Sequence, residues 1–113
     1  RWWHMWRAYK GGSYEEVASW LLNFVNSHAK RESPRVEGVV ETPEQREGKS
    51  YGVRLRLGDR LFPAVDRSPE EFPYLGVSEG RTRVAWCDDL ARRVRGWARE
   101  LLAAESDSPS ESA

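Results

Sequence analysis

The stretch of residues 81–102, RTRVAWCDDLARRVRGWARELL, constrains the fold of this chain more than any other. Between residues 82 and 86 the side chains alternate, with Thr82, Val84 and Trp86 on one side and Arg83 and Ala85 on the other. This period of two is that of a half-buried strand. The pair Asp88-Asp89 follows, and aspartates can accept hydrogen bonds from the free N–H groups at a helix start. The sequence therefore predicts a strand that runs into an aspartate-capped helix.

The helical part of this stretch carries two stripes of side chains. The apolar stripe is expected to face the core, and it consists of Leu90, Val94, Trp97 and Leu101. The second stripe consists of Arg92, Arg95 and Arg99. A charged stripe opposite an apolar one is ordinarily the solvated face of a helix. The alternative is a surface that binds phosphate or carboxylate groups, because guanidinium groups form bidentate contacts with both.

A second helix is predicted after the glycine pair at positions 11 and 12. Ser13 and Glu16 have the spacing of a capping box, in which each side chain bonds the backbone N–H of the other residue. Apolar residues then recur at helical spacing as far as His28, and Ser33-Pro34 ends the helix.

The segment between the two helices has the pattern of β-strands. Residues 35–42 are predicted to form one strand. Residues 51–57 and 60–65 are predicted to form a hairpin, with Gly58-Asp59 as its two-residue turn. Residues 66–80 then form a long connection, in which the segment 68–71 has the signals of a single helical turn.

The hairpin turn also predicts which residues lie opposite each other. In that register Leu55 faces Phe62, and Val53 faces Ala64. Pro63 cannot donate a backbone hydrogen bond, so it indicates that the second hairpin strand has an exposed edge.

Together these elements predict a single α+β domain over residues 1–105 and a disordered acidic tail over residues 106–113. The fold class is a small antiparallel sheet of three to five strands with two main helices packed on one face. Residues 1–9 fit a helix or a strand, with a slight preference for a strand. The expected core consists of Leu21, Phe24, Val25, Leu55, Val84, Trp86, Leu90, Val94, Trp97 and Leu101.

The order helix, three strands, helix is similar to that of double-stranded-RNA-binding domains. The resemblance is one of element order only, and no motif of that family is matched. That family has a lysine-rich cluster at the start of its last helix, where this chain has Asp88-Asp89.

Composition narrows the classes of function. The formal net charge is zero, so no global field attracts nucleic acid or an anionic membrane, and any such function must depend on a local patch. Cys87 is the one cysteine, which excludes an intrachain disulfide and is typical of a reducing, cytoplasmic setting. No apolar run approaches the length of a membrane span, so no membrane partner is expected.

The motifs of common enzyme chemistry are absent from the sequence. There is no glycine-rich phosphate loop, no paired-cysteine metal pattern and no HExxH. Cys87 has no base near it in sequence and is followed by two aspartates, so it is interpreted as a small buried hydrophobe. We therefore expect no enzyme, no cofactor and no metal site.

Two classes of function remain. The first is a non-catalytic module that binds a protein partner or itself through aromatic and apolar residues, and its candidate residues are Phe72, Tyr74, Leu75, Trp3 and Trp6. The alternative is a nucleic-acid-binding module with an arginine-rich face, formed by Arg54, Arg56, Arg81, Arg83, Arg92, Arg95 and Arg99. The abundance of aromatic residues, which include six tryptophans, slightly favours the first.

Overall fold

The fold is described by a computed structural model over residues 12–106. Its elements, in chain order, are α1 (Tyr14–Glu32), β1 (Glu37–Glu41), a 3-10 turn (Glu44–Arg46), β2 (Ser50–Leu57), β3 (Arg60–Phe62), β4 (Glu70–Pro73), α2 (Tyr74–Gly80) and α3 (Val84–Ser106). The predictions for residues 1–9 and for the tail after Ser106 lie outside the described residues.

The capping box at the start of α1 is confirmed. The Ser13 hydroxyl accepts a hydrogen bond from the Glu16 N–H at 3.0 Å, and the Glu16 carboxylate accepts one from the Ser13 N–H at 2.8 Å. The helix ends at Glu32, and Ser33 caps it by donating its backbone N–H to the carbonyl of Ala29. The predicted boundaries of α1 are therefore correct at both ends.

β2 is the central strand of a four-stranded antiparallel sheet. β1 pairs with one edge of β2, and β3 and β4 share the other edge. The hairpin turn at Gly58 is confirmed, with Gly58 at a φ of +64° and Leu55 opposite Phe62. β3 pairs with β2 alone in the described sheet, so the prediction of an edge strand is also confirmed.

Two predictions for residues 63–73 were wrong. Val53 pairs with Glu70 rather than with Ala64, because the chain leaves the sheet at Pro63 and the vacated part of the β2 edge is taken by β4. The segment 68–71 forms no helical turn, since Glu70 and Glu71 belong to β4. Hydrogen bonds to β2 outweigh the local helix signals of these residues.

The strand predicted from Thr82 to Trp86 was also wrong, and Asp88-Asp89 does not begin the last helix. α3 begins at Val84, one turn earlier than predicted. Trp86 lies four residues before Leu90, so it extends the apolar stripe of α3 by one turn. Val84 lies on another side of the helix and is 77% exposed.

The core joins the helices to one face of the sheet. The residues of β2 on that face are Tyr51, Val53, Leu55 and Leu57. Six of the predicted core residues are buried: Leu21, Val25, Leu55, Leu90, Val94 and Leu101. Phe24, Trp86 and Trp97 are half-buried against this core, and Val84 is the one that is excluded from it. The α+β class with helices on one face of a small antiparallel sheet is confirmed.

Two glycines give a stability test of the α3 placement. A Cβ atom built on Gly80 would lie 2.3 Å from the Trp86 indole, whereas nothing lies within 4 Å of a Cβ atom at Gly96. Gly80→Ala should therefore lower the free energy of unfolding by about 1–3 kcal/mol through overpacking. Gly96→Ala should raise it by about 1 kcal/mol, because alanine is the better helix former.

Urea unfolding of the two variants measures both effects. The change from glycine to alanine is expected to lower the free energy of unfolding at position 80 and to raise it at position 96. A neutral or stabilising Gly80→Ala would contradict the packing of Trp86 on Gly80, and a destabilising Gly96→Ala would contradict the open space beside Gly96.

Candidate functional site

Arg54 is a buried arginine on the face of the sheet opposite the helices. It is 8% exposed, and its Nε donates to the Glu41 carboxylate at 2.9 Å. Its Nη1 donates to the carbonyls of Pro63 and Ala64 and its Nη2 to that of Arg67, all at 2.8 Å. Arg54 therefore holds the 63–67 loop against β2, and its guanidinium is not available to a phosphate.

Arg46 covers the same face of β2 at Gly52, two residues before Arg54. Its guanidinium lies over Gly52, where a Cβ atom would come within 2.7 Å of Nη2. It also donates to Glu71 at 2.6 Å and lies 3.5 Å from Glu41. The absence of a side chain at Gly52 thus allows an arginine to close over the sheet.

The remaining predicted nucleic-acid-binding arginines, with one exception, are paired with carboxylates. The pairs are Arg56–Glu37 at 2.6 Å, Arg83–Glu79 at 3.1 Å, Arg92–Asp89 at 3.3 Å, Arg95–Glu32 at 3.0 Å and Arg99–Glu32 at 3.2 Å. Arg81 has no ion pair within residues 12–106, and its guanidinium lies next to Gly12. The arginines are therefore divided among local ion pairs and do not form one face of free cations.

Three of the predicted partner-binding residues lie in the described chain, and they differ in exposure. Phe72 is 7% exposed and packs edge-on against Trp97, so it belongs to the core. The Tyr74 hydroxyl donates to the Gly12 carbonyl at 2.6 Å, and the residue is half-buried. Leu75 is 76% exposed and remains available to a partner. Trp3 and Trp6 lie outside the described residues.

An open groove of about 1170 Å³ runs between the β3 side of the sheet and the C-terminal half of α3. Its apolar lining residues are Leu61, Phe62, Pro63, Ala64, Val65, Leu101 and Ala104. Four acids and two arginines lie around it: Asp59, Asp66, Glu70, Glu100, Arg60 and Arg67. The sequence did not predict this groove, and its one signal was Pro63, which marks the exposed edge beside it.

Cys87 is half-buried near the start of α3. Its thiol lies 3.8 Å from the Gly80 carbonyl and 3.7 Å from that of Arg81. Burial, and then the negative charge of Asp88, raise the pKa of this thiol. The thiolate is therefore scarcer at neutral pH than in an ordinary cysteine, which is unfavourable for a nucleophile.

Comparison of the chain with protein families, with curated proteins and with solved structures found no match. Between Gly12 and Ser106, none of the helices has the length and apolar character needed to cross a bilayer.

The two arginines of β2 provide a matched test of the site description. Arg54→Ala removes one of the two arginines at Glu41 and the donor to three loop carbonyls, so it should lower the free energy of unfolding by about 3–5 kcal/mol. Arg56→Ala breaks an exposed pair with Glu37 and should cost less than about 1 kcal/mol. Chemical denaturation of both proteins compares the costs. Equal losses would contradict the structural role of Arg54.

The reactivity of Cys87 tests its environment. Alkylation by iodoacetamide near neutral pH should be several-fold slower in the native protein than in the same chain unfolded in urea, because burial disfavours the thiolate. The rate can be followed by mass spectrometry. Faster alkylation of the native protein would indicate an activated thiol.

Proposed function

We propose that this chain is a non-catalytic module that binds a segment of a partner protein in the groove between β3 and α3. The observation that supports this most is the groove itself, in which an apolar surface lies beside an exposed strand edge and is surrounded by charged residues. Sites that bind extended peptides combine these features, since the strand edge offers backbone hydrogen bonds and the apolar surface accepts side chains.

The apolar surface must supply most of the binding energy. β3 has only three residues, so its free edge can form very few hydrogen bonds with an added strand. Leu61, Phe62 and Val65 offer apolar contact next to that edge, and Val65 is 78% exposed. A partner segment with apolar side chains fits this arrangement better than a polar one.

The charged residues around the groove favour a partner segment that is basic. Four carboxylates and two arginines surround the groove, and one of the carboxylates, Glu70, is paired with Arg93 at 3.3 Å. The surplus of acids attracts lysine or arginine residues that flank the apolar side chains of a partner. We therefore commit to an extended segment of another protein that has apolar residues and basic flanks.

The alternative of a nucleic-acid-binding module has weaker support. Binding to a nucleic-acid backbone needs several cations that release counterions together. In this chain Arg54 is internal, and most of the other candidate arginines already have carboxylate partners.

As part of the protein-binding proposal, we assign the module to the cytoplasm. The cytoplasm is a reducing compartment, in which Cys87 stays a free thiol.

Selection from a library of short random peptides displayed on phage tests the proposal. Peptides with apolar residues and basic flanks should be enriched, and NMR should map a synthetic version to residues 59–70 and 100–104. Ala104→Arg should weaken that peptide by at least about tenfold, because it adds bulk and a positive charge to the groove.

Ala103→Arg is the matched control. Ala103 and Ala104 are both exposed on α3, but only Ala104 lines the groove, and arginine is a good helix former at either position. The control should bind the peptide like the parent. Failure to enrich any motif, or equal binding by both variants, would overturn the proposal. Dimerisation seen by sedimentation and abolished by Ala104→Arg would show that a second copy, rather than a foreign segment, fills the groove.

A further inference from the structure

A second cavity, of about 390 Å³, lies between α1 and α3 and shares no lining residue with the groove. The residues that carry its chemistry are His28, Arg31, Asp88, Arg92, Arg95 and Arg99. Four arginines from two helices therefore converge on one small concave site. Such a convergence needs a ligand or a counter-charge to stabilise it, because like charges repel.

Carboxylates of the protein neutralise this cluster only in part. Glu32 accepts from Arg95 and from Arg99, and Asp89 accepts from Arg92. Arg31 has no ion pair in the described part of the chain. With Asp88 included, four arginines face three carboxylates, which leaves one positive charge in the pocket.

Hydrogen-bond donors remain unused around the cavity. Arg95 uses only its Nε toward Glu32, and Arg92 uses only one Nη atom toward Asp89. The Nδ1 atom of His28 is buried and has no hydrogen-bond partner. Burial, followed by the charges of Arg31 and Arg95, lowers the pKa of His28, which favours the neutral imidazole beside the arginines.

Glu32 orients two of the arginine side chains that line the pocket. Hydrogen bonds from Arg95 and Arg99 lower the pKa of its carboxyl and hold both guanidinium groups on one carboxylate. A carboxylate that orients arginines reduces the side-chain entropy that they lose when they bind an anion.

We propose that this pocket binds one phosphate group, present as inorganic phosphate or as a phosphomonoester. The remaining guanidinium donors suit the oxygens of a phosphate dianion. The cavity is small, and of the candidate arginines outside it Arg54 is internal while Arg56 and Arg83 are paired, so a single compact group fits better than a nucleic-acid backbone.

NMR titration with inorganic phosphate and with phenyl phosphate, at ionic strength held constant with sodium chloride, tests this proposal. Saturable shifts should be confined to residues 28–32 and 88–99. Equal affinity for the two probes would assign inorganic phosphate as the ligand, and tighter binding of phenyl phosphate would assign a phosphomonoester. The absence of saturable shifts with both probes would overturn the site.

Two neighbouring residues of α1 give a matched pair of variants. Arg31→Gln should weaken phosphate binding about tenfold, since it removes a free cation that lines the pocket. Lys30→Gln removes the same charge at an exposed position outside the pocket, where Lys30 donates to the Pro34 carbonyl, and should change affinity less than about twofold. Equal weakening in both variants would indicate unspecific attraction and would overturn the proposal.

A short single-stranded DNA provides the remaining arm of the experiment. If it bound more tightly than phenyl phosphate near physiological salt, and if Arg92→Gln removed that binding, the site would belong to a nucleic-acid backbone and the proposal of a single phosphate group would fail. These measurements do not involve the groove, so their outcome is independent of the peptide selection.

Discussion

Burial of β2 on both of its faces is the constraint on which the rest of the structure depends. The helices cover one face only, and the second face of such a sheet is commonly left to water. Here Gly52 and Arg54 on that second face are buried as well. The loops that cover them direct carbonyl groups inward, and buried carbonyl groups need donors. Arg54 supplies these donors, so a charged residue organises the side of the sheet that has no helix.

A pair of tyrosines attaches α1 to the beginning of the same strand. The rings of Tyr14 and Tyr51 stack with centroids 4.5 Å apart. The Tyr51 hydroxyl donates to the Tyr14 carbonyl at 2.7 Å, and the Tyr14 hydroxyl donates to the Ser50 carbonyl. Farther along α1, Asn26 accepts from the Gly38 N–H of β1 at 2.6 Å. These contacts at two points along α1 set its direction over the sheet, and this direction places His28 and Arg31 opposite α3.

Among residues 12–106, arginines with different surroundings have different roles. Arg46 and Arg54 are internal and hold loops against the sheet. Arg56 and Arg83 form exposed ion pairs, which contribute little to stability. The group around Glu32 forms the pocket between the two long helices. Composition cannot separate these roles, because each depends on which carboxylate or carbonyl the fold brings within reach.

The sequence by itself determined the features whose signals are local. The capping box of α1, its end at Ser33 and the turn at Gly58 depend on neighbouring residues, so they could be predicted correctly. The helical spacing of Leu90, Val94 and Leu101 likewise identified the buried face of α3.

The tertiary structure alone decided the features that depend on distant partners. β4 exists because β2 offers a free edge, and α3 begins at Val84 because Trp86 packs on Gly80. Both segments carry local patterns that also fit another structure, and packing selects between the two. The groove and the arginine pocket each join residues from elements that lie far apart in the chain. No local sequence pattern predicts these sites, because their residues become neighbours only when the core brings the helices and the sheet together.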